Sequence, residues 1–496
     1  MEKRWIERTP MIHTFISHGY HIVVDTYSGG VHLVNPPSFQ AIEWINREFP
    51  DNPTQGLTDA NWASLVRDLA QEFPDLAAGD LEGIREEIRS LVDEGSLFSR
   101  DTYADLSLDL TQRKTQVKAL CLNVAHTCNL DCDYCFASQG KYHGERAIMS
   151  LEVAKQAIDF LIKNSGNHRN LDIDFFGGEP MLNWDVVKET VAYADSQAEK
   201  YNKNFRYTFT TNGLLLDKEV GDFLNKHMHN VVLSLDGRKE VHDRLRHRID
   251  GRGSYDTIVP KFQDFVRSRG DKEYYIRGTY TGKNPDFYQD ILHMANLGFH
   301  RLSMEPVIGD PEEDYMLSEK DLPILEAQYD LLTDEMLRRD RLADEVIRKG
   351  GSVEDMDDRD RPFVFYHFMM NLDGGPCIYK RISGCGSGTE YMAVTPWGDL
   401  YPCHQFVGDE NFTVGNVFEG IQKDAIIKDF KTCNTYSRPE CQDCWARLYC
   451  SGGCAANAYH ASGTIQGTVP FSCQLFRKRM ECALTLKVDQ MVRQNQ

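Results

Sequence analysis

No apolar run in this 496-residue chain is long enough to cross a membrane, and its opening residues lack the hydrophobic stretch of a secretory signal. There is no basic stripe either. Asp and Glu outnumber Lys and Arg by 75 to 55, and the net charge of -20 argues against nucleic acid as the main partner. Cysteine is missing before Cys121 and again between Cys135 and Cys377, and then ten cysteines crowd into Cys377–Cys482. These gaps predict a cytoplasmic chain, without membrane spans, whose 14 cysteines serve metals rather than disulfides. The length suits two to four domains and a large core.

What is present begins with Cys128, Cys132 and Cys135, spaced C-x3-C-x2-C with Tyr134 before the last. Three thiolates can hold three corners of a four-iron cluster and leave one iron open to a substrate or cofactor, whereas a cluster built for electron storage takes four cysteines. The alternative is zinc, with His126 or His143 completing the ligands. The spacing resembles the signature of the radical S-adenosylmethionine (SAM) enzymes. The resemblance implies that the open iron chelates SAM, and that reduction cleaves SAM to a 5′-deoxyadenosyl radical.

The first hundred residues read as a small separate module, residues 11–100, with an added tail ahead of Met11. His21–Tyr27 and Val31–Val34 predict a strand pair across Ser28-Gly29-Gly30, and helical patterns follow at 38–49, 59–73 and 80–94. Strands followed by three helices resemble the winged-helix-like peptide recognition element of ribosomal-peptide maturases, which holds a leader peptide as an added strand. A plain cap, or a winged helix for nucleic acid, are the other readings.

Residues 115–345 alternate strand and helix. Strands are predicted at 117–124, 172–176, 206–211, 231–236, 274–280 and 301–307, giving an α/β class and a partial (β/α)6 barrel with chemistry at the carboxyl ends of its strands. Gly177-Gly178-Glu179-Pro180 closes the second strand. Two glycines allow close backbone approach, and a carboxylate suits an ammonium group. In radical SAM enzymes this motif binds the methionine amine of SAM. Thr211 and Asn212 close the third strand, Ser234 and Asp236 the fourth, Arg277 lies on the fifth and Glu305 on the sixth. Thr211, Asn212, Ser234, Asp236 and Arg277 are expected SAM contacts, with turn formation and capping as the alternative. His242, Asp243 and Arg246 could meet substrate or pair on a helix face. Residues 346–376 form an acidic linker and bridging region, read as a solvated loop.

Residues 377–485 are Gly-rich and Cys-rich. Cys385, the run Gly398–Cys403, then Cys441, Cys444, Cys450, Cys454 and Cys473 match the seven-cysteine pattern of the SPASM extension. A zinc ribbon at Cys441, Cys444, Cys450 and Cys454 is the simpler alternative. The resemblance implies two auxiliary clusters: Cys385, Cys403 and Cys454 on the first, with Cys377 a candidate fourth ligand, and Cys441, Cys444, Cys450 and Cys473 on the second. Three 4Fe-4S clusters and SAM are then the cofactors. Cys121, Cys433 and Cys482 have no assigned role and read as structural.

The openings Met11–Phe15, Gly19–Asp25 and Ser28–Val34 resemble maturases of Cys-rich ribosomal peptides, the SCIFF-type, ranthipeptide and sactipeptide enzymes. That resemblance implies thioether links from Cys sulfur to carbon in a Cys-rich precursor peptide with a leader, and a reductant such as flavodoxin or ferredoxin. The rival is anaerobic sulfatase maturation. Sulfatase maturases carry an Asp base after the Tyr-Pro-Cys motif; here the neighbour is His404.

Overall fold

The computed structural model describes residues 9–112, 114–310, 312–372, 374 and 377–495. The tail ahead of Met11 lies almost wholly outside the described residues. Three antiparallel strands open the chain, β1 (Ile12–Ser17), β2 (Tyr20–Asp25) and β3 (Val31–Val34), in the order β1-β2-β3. Helices Pro36–Glu48, Asp59–Glu72 and Ala78–Asp93 follow. Asn35 caps the first, its side chain accepting from the Ser38 N–H at 2.9 Å.

This module is not free-standing. Alternation along β2 sends Val23 into the module's own core with Phe39, Ile42 and Trp62. Ile22 and Val24 point the other way, into the core of the main body, and are fully buried there. Burying both contributes roughly 3–6 kcal/mol by side-chain transfer values. The run Ile22-Val23-Val24, apolar at every position, is the sequence mark of a strand covered on both faces.

Six parallel strands form the centre: β4 (Ala119–Ala125), β5 (Asn170–Gly177), β6 (Asn204–Thr211), β7 (Asn230–Ser234), β8 (Glu273–Tyr280) and β9 (Arg301–Pro306), each pairing with the next. Their inner residues, such as Leu122, Phe175, Phe209, Leu233 and Ile276, are fully inaccessible. Past β9 the segment expected to be a solvated loop is pinned down. Arg339 on the helix Leu322–Arg348 donates to the carbonyls of Asp358 and Arg361 at 2.8 and 3.0 Å. Phe363, Phe365 and Phe368 then enter the main core, and β10 (Val364–Phe365) joins β9.

The C-terminal region continues the same sheet. β11 (Tyr391–Val394) pairs in parallel with β4, and β12 (Asp399–Tyr401), β13 (Gly415–Asn416) and β14 (Gly420–Ile421) extend it antiparallel. The order is β10-β9-β8-β7-β6-β5-β4-β11-β12-β13-β14. The chain ends in the helix Pro470–Gln494, which runs past residue 485 and packs on the helix Leu322–Arg348. No helix among the described residues is long and apolar enough to cross a membrane.

Candidate active site and cluster-binding residues

A cavity of about 1000 Å³ combines the carboxyl ends of the central strands with the C-terminal cysteine loops. Cys128, Cys132 and Cys135 line one part of it; Cys441, Cys444, Cys450, Cys454 and Cys473 line another. Among the described residues, no three His, Cys, Asp or Glu side chains stand close enough to hold a single metal ion.

The loop carrying the first three thiols is docked by backbone bonds that prolong the β4–β5 ladder. Gly178 N–H donates to Ala125 O at 2.7 Å and Glu179 N–H to Thr127 O at 2.9 Å. Only glycine fits this approach. A Cβ on Gly178 would stand 2.0 Å from Thr127 O, and Gly177, at φ +132°, would meet Ala125 O at 2.5 Å. Tyr134 pins the loop from the other side: its hydroxyl donates to Asp236 at 2.5 Å and accepts from Arg246 at 2.9 Å.

Gly177, Gly178, Pro180, Thr211, Asn212, Ser234 and Arg277 all line the cavity, with Thr279 and Glu305. Two expected SAM contacts sit elsewhere. Glu179 is fully buried behind the glycines, and its carboxylate accepts from Thr211 Oγ1 (2.9 Å), Asn212 N–H (2.8 Å) and Met181 N–H (3.1 Å). Burial lifts its pKa to about 7 against the pull of those three bonds. Three donors leave one carboxylate lone pair open. Asp236 is outside the cavity wall, engaged by Tyr134 and by Thr279 N–H at 3.0 Å. It ties the loop of Cys128, Cys132 and Cys135 to β8 through these two bonds. His242 is buried against Ser254 at 2.8 Å, and Asp243 accepts from Ser254 N–H, also at 2.8 Å; of that trio only Arg246 reaches the cavity.

The second thiol group is equally local. Cys441, Cys444, Cys450 and Cys473 influence one another electrostatically, and burial with this mutual repulsion pushes the Cys450 thiol up to about 12. Cys403 is raised to about 12 by burial and by Cys454 and Cys385. Burial also raises Cys128 to about 11. Metal binding must therefore displace protons from these thiols. Cys385 faces a neighbouring cavity of about 360 Å³, shared with Cys433, while Cys377 is exposed and lines neither.

Two features escaped sequence reading. One is a charged wall. Glu305 on β9 meets His367 Nε2 at 3.1 Å and Arg479 Nη1 at 3.9 Å. Burial would raise Glu305, but His367, Arg277 and Arg479 hold it at about 2. His367 and Arg479 come from sequence-distant segments without a motif. The other is the seat of the N-terminal module. His13 of β1 stacks on Trp445 at 4.0 Å and 5° between planes, and Thr26 Oγ1 donates to Trp445 O at 3.1 Å. Arg447, two residues on, is buried under Tyr436, its guanidinium 4.2 Å from the ring centre and 3.7 Å from Asp101.

The residues fit the groups expected of them: Cys128, Cys132, Cys135, Cys441, Cys444, Cys450, Cys454 and Cys473 face one cavity and Cys385 its neighbour, Cys403 lies outside both walls, and the glycine cradle admits no Cβ. Residues 122–304 match the radical SAM superfamily model, and residues 385–445 match the iron-sulfur cluster-binding SPASM domain. The cysteine-type anaerobic sulfatase-maturating enzyme of Clostridium novyi is 27% identical over 353 residues, covering 66% of this chain and 85% of that one. The solved structure of native anSMEcpe with bound AdoMet and Cp18Cys peptide superposes with a TM-score of 0.58 at 21% identity, over 75% of this chain and 99% of that one. Streptococcus suis SuiB bound to S-adenosylmethionine aligns over 94% of this chain and 100% of its own, with a TM-score of 0.50 and 16% identity. The chain thus carries an α/β radical SAM domain followed by a SPASM iron-sulfur domain.

Proposed function

We propose that this protein is a radical SAM peptide maturase that joins Cys sulfur to carbon in a Cys-rich precursor peptide. The supporting observation is the N-terminal module seated on the cysteine loop at Trp445. About a quarter of this chain lies beyond its alignment with anSMEcpe, whereas the SuiB alignment leaves only a few per cent outside. In this reading β3, the last strand in the order β1-β2-β3, offers its outer edge to the leader as an added strand.

Cys128, Cys132 and Cys135 would hold the cluster that meets SAM. Cys385, Cys403 and Cys454 would belong to a first auxiliary cluster, and Cys441, Cys444, Cys450 and Cys473 to a second. When bound, the clusters and SAM supply a hydrogen-abstracting radical and an exit for one electron, with flavodoxin or ferredoxin as the initial donor. The chain's own part is positioning. Gly177, Gly178, Thr211 and Asn212 shape the cofactor side of the cavity, with Glu179 bracing the end of β6. Phe136, Phe176 and His404 give the cavity an aromatic surface that limits water. Arg277, expected to meet SAM, stands beside Glu305, and Glu305 and Arg479 fix polar groups of the peptide.

Formylglycine formation is the second reading, favoured by the likeness to the C. novyi enzyme. Both are tested by incubating the anaerobically reconstituted enzyme with SAM, reductant and a Cys-rich peptide encoded beside it. Thioether formation yields a product lighter by two hydrogens, with sulfur retained and one thiol lost to alkylation. Formylglycine formation expels the sulfur and creates an aldehyde. An aldehyde product would overturn the first reading.

A further inference from the structure

Three large apolar side chains, each about half exposed, gather where the radical SAM and SPASM domains meet: Trp397, Phe418 and Ile148. Trp397 sits at the tip of the β11–β12 turn, which Gly398 closes by donating its N–H to Thr395 O at 2.9 Å. Phe418 stands in the turn between β13 and β14. Asn416 joins the two turns, its Nδ2 donating to Trp397 O at 3.3 Å and its Oδ1 accepting from Phe418 N–H at 3.1 Å. Ile148 bridges to Ala125, the residue before His126. Apolar surface gathered in one place, unlike single exposed residues, points to a partner.

Beneath the patch runs a column of rings. Trp397 and His126 meet edge to face at 5.4 Å between centres, and His126 stacks on Tyr142 at 4.6 Å. His126 is buried, and among the described residues neither of its ring nitrogens has a hydrogen-bond partner, so the imidazole serves as a packing ring. Tyr142 is buried in the same apolar cluster as Cys135 and is close enough to Cys128 and Cys135 to feel their charge. The loop that delivers it holds Ser138, Gln139, Tyr142 and His143 at positive φ. Residues other than glycine take that conformation rarely and keep it only where their surroundings fix them. The column therefore joins solvent to the loop of Cys128 and Cys135 in two ring-to-ring steps.

Resting on the proposed cluster at Cys128, Cys132 and Cys135, we infer that this patch docks a small acidic one-electron carrier protein, and that Trp397, His126 and Tyr142 lead its electron to that cluster. Charge favours the spot. The chain as a whole carries -20, which repels an acidic partner, whereas the ionised residues flanking the patch cancel, Lys141 and Arg146 against Glu145 and Glu419. Electron carriers form small, transient interfaces, and three apolar side chains with a neutral rim suit that class. In the transfer the carrier is oxidised by one electron, the cluster is reduced by one, and no bond forms or breaks.

The test takes anaerobically reconstituted full-length protein and follows, by freeze-quench electron paramagnetic resonance, the reduced-cluster signal that SAM perturbs. One reductant is flavodoxin hydroquinone; the other is dithionite, which needs no docking surface. Trp397→Ala should slow reduction by flavodoxin roughly tenfold and leave reduction by dithionite unchanged. Phe418→Glu keeps every ring of the column, adds charge to the patch and should slow flavodoxin likewise. Tyr201→Ala, at an exposed aromatic ending the helix Trp184–Tyr201, should change neither rate. Wild-type speed with flavodoxin in Trp397→Ala or Phe418→Glu overturns the inference. So does an equal loss with dithionite, a matching loss in Tyr201→Ala, or a wild type that dithionite reduces and flavodoxin does not. Absence of any SAM-perturbed signal with dithionite overturns instead the cluster assignment beneath it.

Discussion

Gly178→Ala adds one methyl at the point where the turn after β5 touches the cysteine loop. Its Cβ would stand 2.0 Å from Thr127 O, 2.5 Å from Thr127 C and 3.0 Å from Cys128 N. All three are backbone atoms, so no flexible side chain can yield. Real Cβ contacts stay beyond 3.0 Å, and the loops must part by about 1 Å. That opening stretches the Glu179 N–H bond to Thr127 O, now 2.9 Å, costing about 1 kcal/mol. Overpacking adds roughly 1–3 kcal/mol. A displacement of that size at a reacting centre lowers rate about 100-fold. The assay is iron content, SAM binding by equilibrium dialysis and thermal melting of reconstituted protein. Gly83→Ala is the control: it lies in the helix Ala78–Asp93 with nothing within 4 Å of the added methyl. It should stabilise by up to about 1 kcal/mol. A Gly178→Ala protein with wild-type iron and SAM affinity would refute the close-approach reasoning.

Glu179→Gln replaces an acceptor facing three donors with a group that turns an NH2 toward at least one of them. It should cost about 1–3 kcal/mol of stability, the worth of leaving a buried donor unpaired, measured by denaturant unfolding; an unchanged stability would show that the three bonds do not hold the end of β6. Asp174 is raised to about 7, by burial first and then by Asp172, so its protonated form is favoured in the folded state. That contribution is complete below the unfolded value near 4 and is lost as pH rises through 7. Asp174→Asn should flatten the melting temperature across pH 4–7 relative to wild type and exceed it above pH 7; parallel curves would count against this. Arg447→Ala removes a buried cation that lies 3.7 Å from Asp101 and 4.2 Å from the Tyr436 ring centre, and should destabilise by about 1–3 kcal/mol in denaturant unfolding. Adding Asp101→Asn should restore part of that loss; strict additivity would show that the two side chains are not coupled.

The central strands were readable because each carries an apolar run closed by a polar turn, as in Phe175–Gly178 and Leu233–Asp236. The cysteine groups were readable because spacing is local along the chain. What could not be read depends on contacts between distant segments. Residues Ile22 to Val24 show burial on both faces but not what covers the second face. The bond between Asp236 and Tyr134 was not legible because the two lie 102 positions apart. His367 and Arg479 became part of the site only when β10 and the last helix folded over β9.

The stack of His13 on Trp445 gives the N-terminal module and the loop of Cys444 and Cys450 a common footing. Whatever free energy the loop gains by closing around metal is therefore felt at β1, and whatever steadies β1 is returned to the loop in equal measure. Under the proposed function, a chain that has lost its metal would offer a looser seat to the module, so that grip on a peptide and readiness to modify it rise and fall together.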